Sequence, residues 1–136
     1  MAEQKAVAGY LVQTDAVNNF LARHKRELND RLVAIYNGIT ALKEKGLPVD
    51  SIAPQAAMYL TIKLPLVGMH ADGHALHDQK EVTEYILSKA KLAVVPFYAF
   101  GAGKNSPWYR MSVGTCHKEE IPEVLGLLEN ALAELV

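Results

Sequence analysis

The stretch Ala57-Met58-Tyr59-Leu60-Thr61-Ile62-Lys63-Leu64 alternates strictly. Met58, Leu60, Ile62 and Leu64 fall on one face and Tyr59, Thr61 and Lys63 on the other, the period of a strand with one side against a core. Trp108 to Val113 repeats the pattern: Trp108, Arg110 and Ser112 share one face, and Tyr109, Met111 and Val113 share the other. Arg110 thus stands on the polar side of its strand. A shorter strand is expected over Leu92 to Val95, ending at Pro96.

Strands with one apolar face need a covering layer, and the remaining sequence reads as helix. Gln4 to Leu11 places Val7, Tyr10 and Leu11 on one side, and Thr14 or Asp15 offers an oxygen to cap the next helix. That helix is long, with Val17, Leu21, Leu28, Leu32, Ile35, Ile39 and Leu42 recurring at helical spacing until Gly46-Leu47-Pro48 stops it. Asp78 opens another helix, with Glu81 three residues on in a capping-box pattern. Ile121, Leu125, Leu128, Leu132 and Leu135 stripe the last one. Pro65 to His77, rich in glycine and histidine, reads as a long loop. The expected fold class is α+β: a small, mainly antiparallel sheet covered by helices, with a long N-terminal helix.

The bulk numbers restrict the function. The chain has 136 residues, 50% of them hydrophobic, enough for one core. With 14 basic and 15 acidic residues interspersed, the net charge of -1 gives no reason to expect nucleic acid as a partner. Charges interrupt every apolar run, so no membrane span is expected. The single cysteine, Cys116, and the absence of a secretion-signal pattern after Met1 suggest a cytoplasmic setting.

Four segments, in order, carry a resemblance. Ala53-Pro54-Gln55-Ala56-Ala57-Met58-Tyr59-Leu60 is similar to a Pro-x-Gly-Ala-Met-Tyr strand entry. Ala93-Val94-Val95-Pro96-Phe97-Tyr98-Ala99-Phe100-Gly101 is similar to Val-x-Val-Pro-Gly-x-x-Phe-Gly, and Trp108-Tyr109-Arg110-Met111-Ser112 to aromatic-x-Arg-hydrophobic-Ser. Upstream, Gln4-Lys5-Ala6 begins a Gln-x-Ala helix. Together they resemble the C-terminal small domain of the class I/II, aspartate aminotransferase-like, fold-type I pyridoxal-phosphate-dependent aminotransferases. Ala56 and Phe97 depart from the pattern, each standing where the family has glycine.

The resemblance implies that residues 1–45 are the end of a large domain and an interdomain helix, and that residues 46–136 form the small domain. It places Arg110 where the family binds the substrate's α-carboxylate, and a guanidinium's planar fork of donors suits that task. Tyr98, Phe100 and Tyr59 either line the substrate entrance or simply pack the domain. The parent protein would be a transaminase, a homodimer that uses pyridoxal 5'-phosphate to move an amino group between an amino acid and a 2-oxo acid. No cofactor-binding lysine motif, acidic partner for the pyridine or phosphate loop is identifiable here. The chain alone is therefore expected to be inactive, with no cofactor, metal or catalytic residue of its own. Two other classes compete: a non-catalytic aminotransferase-like ligand-binding or dimerisation module, and a metal site built on His70, His74 and His77 with Asp72 and Asp78. Cys116-His117 is a weaker nucleophile-and-base candidate, since chain neighbours rarely point together.

Overall fold

A computed structural model describes all of residues 1–136. Helix α1 (Ala2–Leu11) leads into α2 (Thr14–Glu44), which is followed by strands β1 (Asp50–Ser51), β2 (Tyr59–Lys63), β3 (His70–Ala71) and β4 (His74–Ala75). Helix α3 (Gln79–Ala90), strands β5 (Val95–Pro96) and β6 (Trp108–Ser112), and helix α4 (Ile121–Ala133) complete the chain. Strands β1, β2, β6 and β5 form one antiparallel sheet in that order, while β3 and β4 pair separately. The expected α+β architecture is the observed one.

The alternation read in the two main strands is what the fold uses. Leu60, Ile62, Tyr109 and Met111 are at most 3% exposed and join Val82, Ile86, Leu128 and Leu132 in one core. Removing the apolar area of such residues from water contributes roughly 25 cal/mol per Å². Helix α2 enters this core only through its second half, with Leu32, Ile35, Ile39 and Leu42 buried. Gly38 lets it lie close to α4, because a Cβ there would meet Leu125 Cδ1 at 2.2 Å. Gly46, at φ +86°, closes α2 in the left-handed conformation that glycine adopts without strain.

Several local expectations need correction. Thr14 and Asp15 do not cap α2: Gln13 holds the cap position without a side-chain hydrogen bond, and Thr14 already lies in the first turn. Strand β2 starts at Tyr59 rather than Ala57 because Ala57 has φ +64°, which breaks the extended run and leaves Met58 39% exposed. Strand β5 comprises Val95 and Pro96, later than expected. Its proline is tolerated because an edge strand can spare one N–H. Pro65 to His77 is not a plain loop but holds the β3–β4 hairpin. Asp72 and Gly73 both adopt positive φ at its tip, the Asp-Gly signature of a tight hairpin turn.

Candidate functional site: an arginine on the open face of the sheet

The helices cover one face of the sheet and leave the other open. Register places Tyr59 opposite Ser112, Thr61 opposite Arg110, and Lys63 opposite Trp108 on that open face. Val95 pairs with Arg110 from the other side. Arg110 therefore lies on an inner strand between two short side chains, neither of which bears a charge. This placement follows from the strand period alone.

What the period does not show is the company the guanidinium keeps. Its central carbon lies 4.4 Å from the centre of the Tyr59 ring and 4.2 Å from that of Phe100. The ring pairs in the molecule are Phe20 with His24 and Phe97 with Phe100, so Tyr59 and Phe100 do not stack on each other and the guanidinium lies between them. Phe100 ends a 3-10 turn (Phe97–Phe100) that Gly101 closes at φ +90°. Tyr59 and Phe100 remain 41% and 53% exposed.

The Arg110 guanidinium has no carboxylate partner and makes no hydrogen bond within the protein, whereas Arg31, Lys43, Lys89 and Lys118 are all engaged. Arg31 donates to the carbonyls of Val113 and Gly114, tying α2 to the end of β6. Lys89 bridges Asp72 and Glu134 at 3.2 and 2.8 Å, and these partners push its ammonium pKa up from the ordinary lysine value. Lys43 pairs with Asp50 at 2.8 Å and Lys118 with Asp30 at 3.3 Å. A half-buried guanidinium with free in-plane N–H groups can take a planar anion on two parallel hydrogen bonds.

The remaining sequence candidates are placed differently. Tyr98 does not join Arg110; it lines a separate hollow with Asp78, Gln79, Lys80 and Lys104. Trp108 lies under the Lys63 ammonium, 5.8 Å from ring centre to nitrogen. His70 pairs with Ala75 and His74 with Ala71. Cross-strand partners share a face, so the two histidines project to opposite sides of the hairpin and cannot converge on one ion. His77 instead contacts the Glu81 carboxylate at 3.1 Å, and no group of three or more histidine, cysteine, aspartate or glutamate residues could hold a metal. Cys116 turns its thiol to the Val113 carbonyl, whereas the backbone N–H of His117 donates to Glu120 Oε2. No helix is long and apolar enough to cross a membrane.

Comparison with known proteins then bears on the arrangement. No family model matches the chain. An aspartate aminotransferase from Pyrococcus abyssi is 34% identical over 94 residues, which is 68% of this chain and 21% of that protein. The crystal structure of the aspartate aminotransferase from Rhizobium meliloti superposes with a TM-score of 0.72 at 27% identity, over 86% of this chain and 28% of that one. The chain is similar to the C-terminal part of the fold-type I aminotransferases. Its fold is that of their small C-terminal domain. An alanine aminotransferase from Pyrococcus furiosus shares the fold, with a TM-score of 0.67 at 19% identity, over 85% of this chain and 26% of that one. The chain thus spans 21–28% of the length of these relatives.

Proposed function

We propose that this chain is the substrate-carboxylate-binding part of a pyridoxal 5'-phosphate-dependent aminotransferase, with Arg110 as the anchor. The observation that carries the reading is the unpaired guanidinium on the open sheet face, between Tyr59 and Phe100. Arginine stays charged at every physiological pH, so it can hold the α-carboxylate of an amino acid and then of a 2-oxo acid without taking part in proton transfer. In this reading residues 1–45 join a larger cofactor-bearing domain and residues 46–136 close over it. The intact protein is then a cytoplasmic homodimer.

The residues of this chain do not themselves fit the cofactor. A Schiff-base lysine must present a free amine in a sheltered site. Here Lys43, Lys45, Lys80, Lys89 and Lys118 are in ion pairs, Lys91 donates to the Ser88 carbonyl, and Lys63 sits over Trp108. Lys5, Lys25 and Lys104 are exposed. The cofactor and the proton-transfer machinery therefore belong to the larger domain, and the isolated chain is expected to be inactive.

The test begins with the DNA upstream of the codon for Ala2. An uninterrupted frame encoding a serine-and-lysine cofactor motif should give a longer protein that transfers the amino group of aspartate or alanine to 2-oxoglutarate. Arg110→Lys should then lower kcat/KM by at least tenfold, because an ammonium cannot offer the planar fork. A stop codon followed by an independent start would withdraw the enzyme reading and favour a non-catalytic ligand-binding or dimerisation module.

A further inference from the structure

Resting on that reading, we infer that Tyr59 and Phe100 are positioning residues for Arg110: they hold the guanidinium plane between them and leave only its edge for a planar carboxylate. The two rings lie 4.4 and 4.2 Å from the guanidinium carbon. Both are large and substantially exposed: Tyr59 stands on the sheet face beside Thr61, Lys63, Trp108 and Ser112, and Phe100 comes from the 3-10 turn that follows β5. Exposed aromatic rings on a polar face are accounted for if their partner is the cation they flank.

Each ring is fixed from a different part of the chain. Tyr59 is set by the β2–β6 register, across from Ser112. Phe100 is set by its edge contact with Phe97, ring centres 6.3 Å apart, and by the turn closed at Gly101. The two supports converge on Arg110 from either side of β6. Thr61 and Val95, its cross-strand neighbours, are too short to steer a guanidinium several bonds from the backbone. Without the rings the side chain would sample many rotamers and lose that freedom on binding, which weakens the bound state.

The arrangement has a consequence for selectivity. Guanidinium faces are poorly hydrated and accept aromatic rings, whereas the five N–H donors lie in the plane. With its faces covered, an oxyanion must approach edge-on. A carboxylate is planar and can place both oxygens in that plane. A tetrahedral sulfonate cannot bring all its charge there, so the clamp favours carboxylates over tetrahedral anions of equal charge.

The experiment uses the full 136-residue chain and NMR of the arginine side chains, with Tyr59→Leu, Phe100→Leu, Tyr59→Phe and Phe100→Tyr variants. In the free wild-type chain the Arg110 Nε–H proton should be shifted upfield by ring current and guanidinium rotation should be slowed. Either leucine variant should weaken both signatures, and the aromatic replacements should keep them. Maleate titration should then perturb Arg110 more strongly than 1,2-ethanedisulfonate at equal concentration. Each leucine variant should weaken maleate binding by about two- to fivefold and reduce the preference for maleate. Maleate bound equally by wild type and leucine variants would overturn the positioning role while leaving Arg110 as anchor. No response of Arg110 to maleate, with the ring-current signature intact, would instead overturn the anchor reading and with it the purpose of the clamp.

Discussion

The two faces of strands β2 and β6 are made from the same ten residues and do opposite things. On the inner face Leu60, Ile62, Tyr109 and Met111 are at most 3% exposed, and three helices converge on them. On the outer face the cross-strand pairs Tyr59 with Ser112, Thr61 with Arg110, and Lys63 with Trp108 have no helix over them. The inner face is defined by what it excludes. The outer face is defined by a guanidinium with no internal acid partner, which leaves its in-plane donors free. A strand period of two allows one short segment to supply the core and the chemistry together, with each face free to change without the other.

Substituting one residue from each face gives the largest contrast. Ile62 is fully buried, so Ile62→Ala should remove about 2–5 kcal/mol from the unfolding free energy through lost burial and the cavity left behind. Arg110→Ala, immediately after Ile62's cross-strand partner Tyr109 but on the outer face, loses only its two ring contacts and should cost no more than about 1–2 kcal/mol. Urea denaturation of both variants measures the difference directly. Comparable losses would show that the outer face is a structural surface after all.

Helix α2 divides along its length much as the sheet divides across its thickness. Its second half buries Leu32, Ile35, Ile39 and Leu42, but α1 has no buried residue, and Val7, Tyr10, Leu11, Val12, Phe20 and Leu21 are all more than 40% exposed. Exposed apolar side chains gathered along one helical segment favour association in water. The chain should self-associate with rising concentration in light scattering, and removing residues 1–13 should shift it towards monomer while leaving the denaturation midpoint nearly unchanged. A monomer across a wide concentration range would mean that these side chains find partners within the chain.

These contrasts mark how far the sequence could be read. Alternation in Tyr59–Lys63 and Trp108–Ser112 and the stripe in α2 were legible because burial imposes a period. The exposed first half of α2 was not, since Val17 and Leu21 obey the same spacing as Leu32 and Ile35 whether or not a partner covers them. The β3–β4 hairpin was signalled by Asp72-Gly73 but obscured by the histidines around it. Arg110 stood out through its strand position and the family resemblance. Its clamp did not, because Tyr59, Phe100 and Arg110 meet through a register and a 3-10 turn that no local spacing encodes.

The smallest effect lies at the margin of the outer face, where Asp50 pairs across β1 and β2 with Lys63. The Asp50 carboxylate accepts a hydrogen bond from the Lys43 ammonium and another from the Ser51 N–H, and these hold its pKa below the ordinary aspartate value of 3.8. A carboxyl depressed in the folded state stabilises the fold above its unfolded pKa, and that contribution fades as pH falls through the folded value. Its side chain is 37% exposed, so solvent screening limits the pair to about 0.5 kcal/mol at neutral pH. Asp50→Asn should therefore cost little at pH 7 and converge with wild type in acid below both pKa values. It should also flatten the acid limb of stability against pH, and added salt should shrink the difference further. The inner face has no ionised pair to titrate, so the same acid shift should leave the penalty of Ile62→Ala unchanged; a penalty that tracked pH with Asp50 would mean that the two faces are coupled through the strand rather than independent.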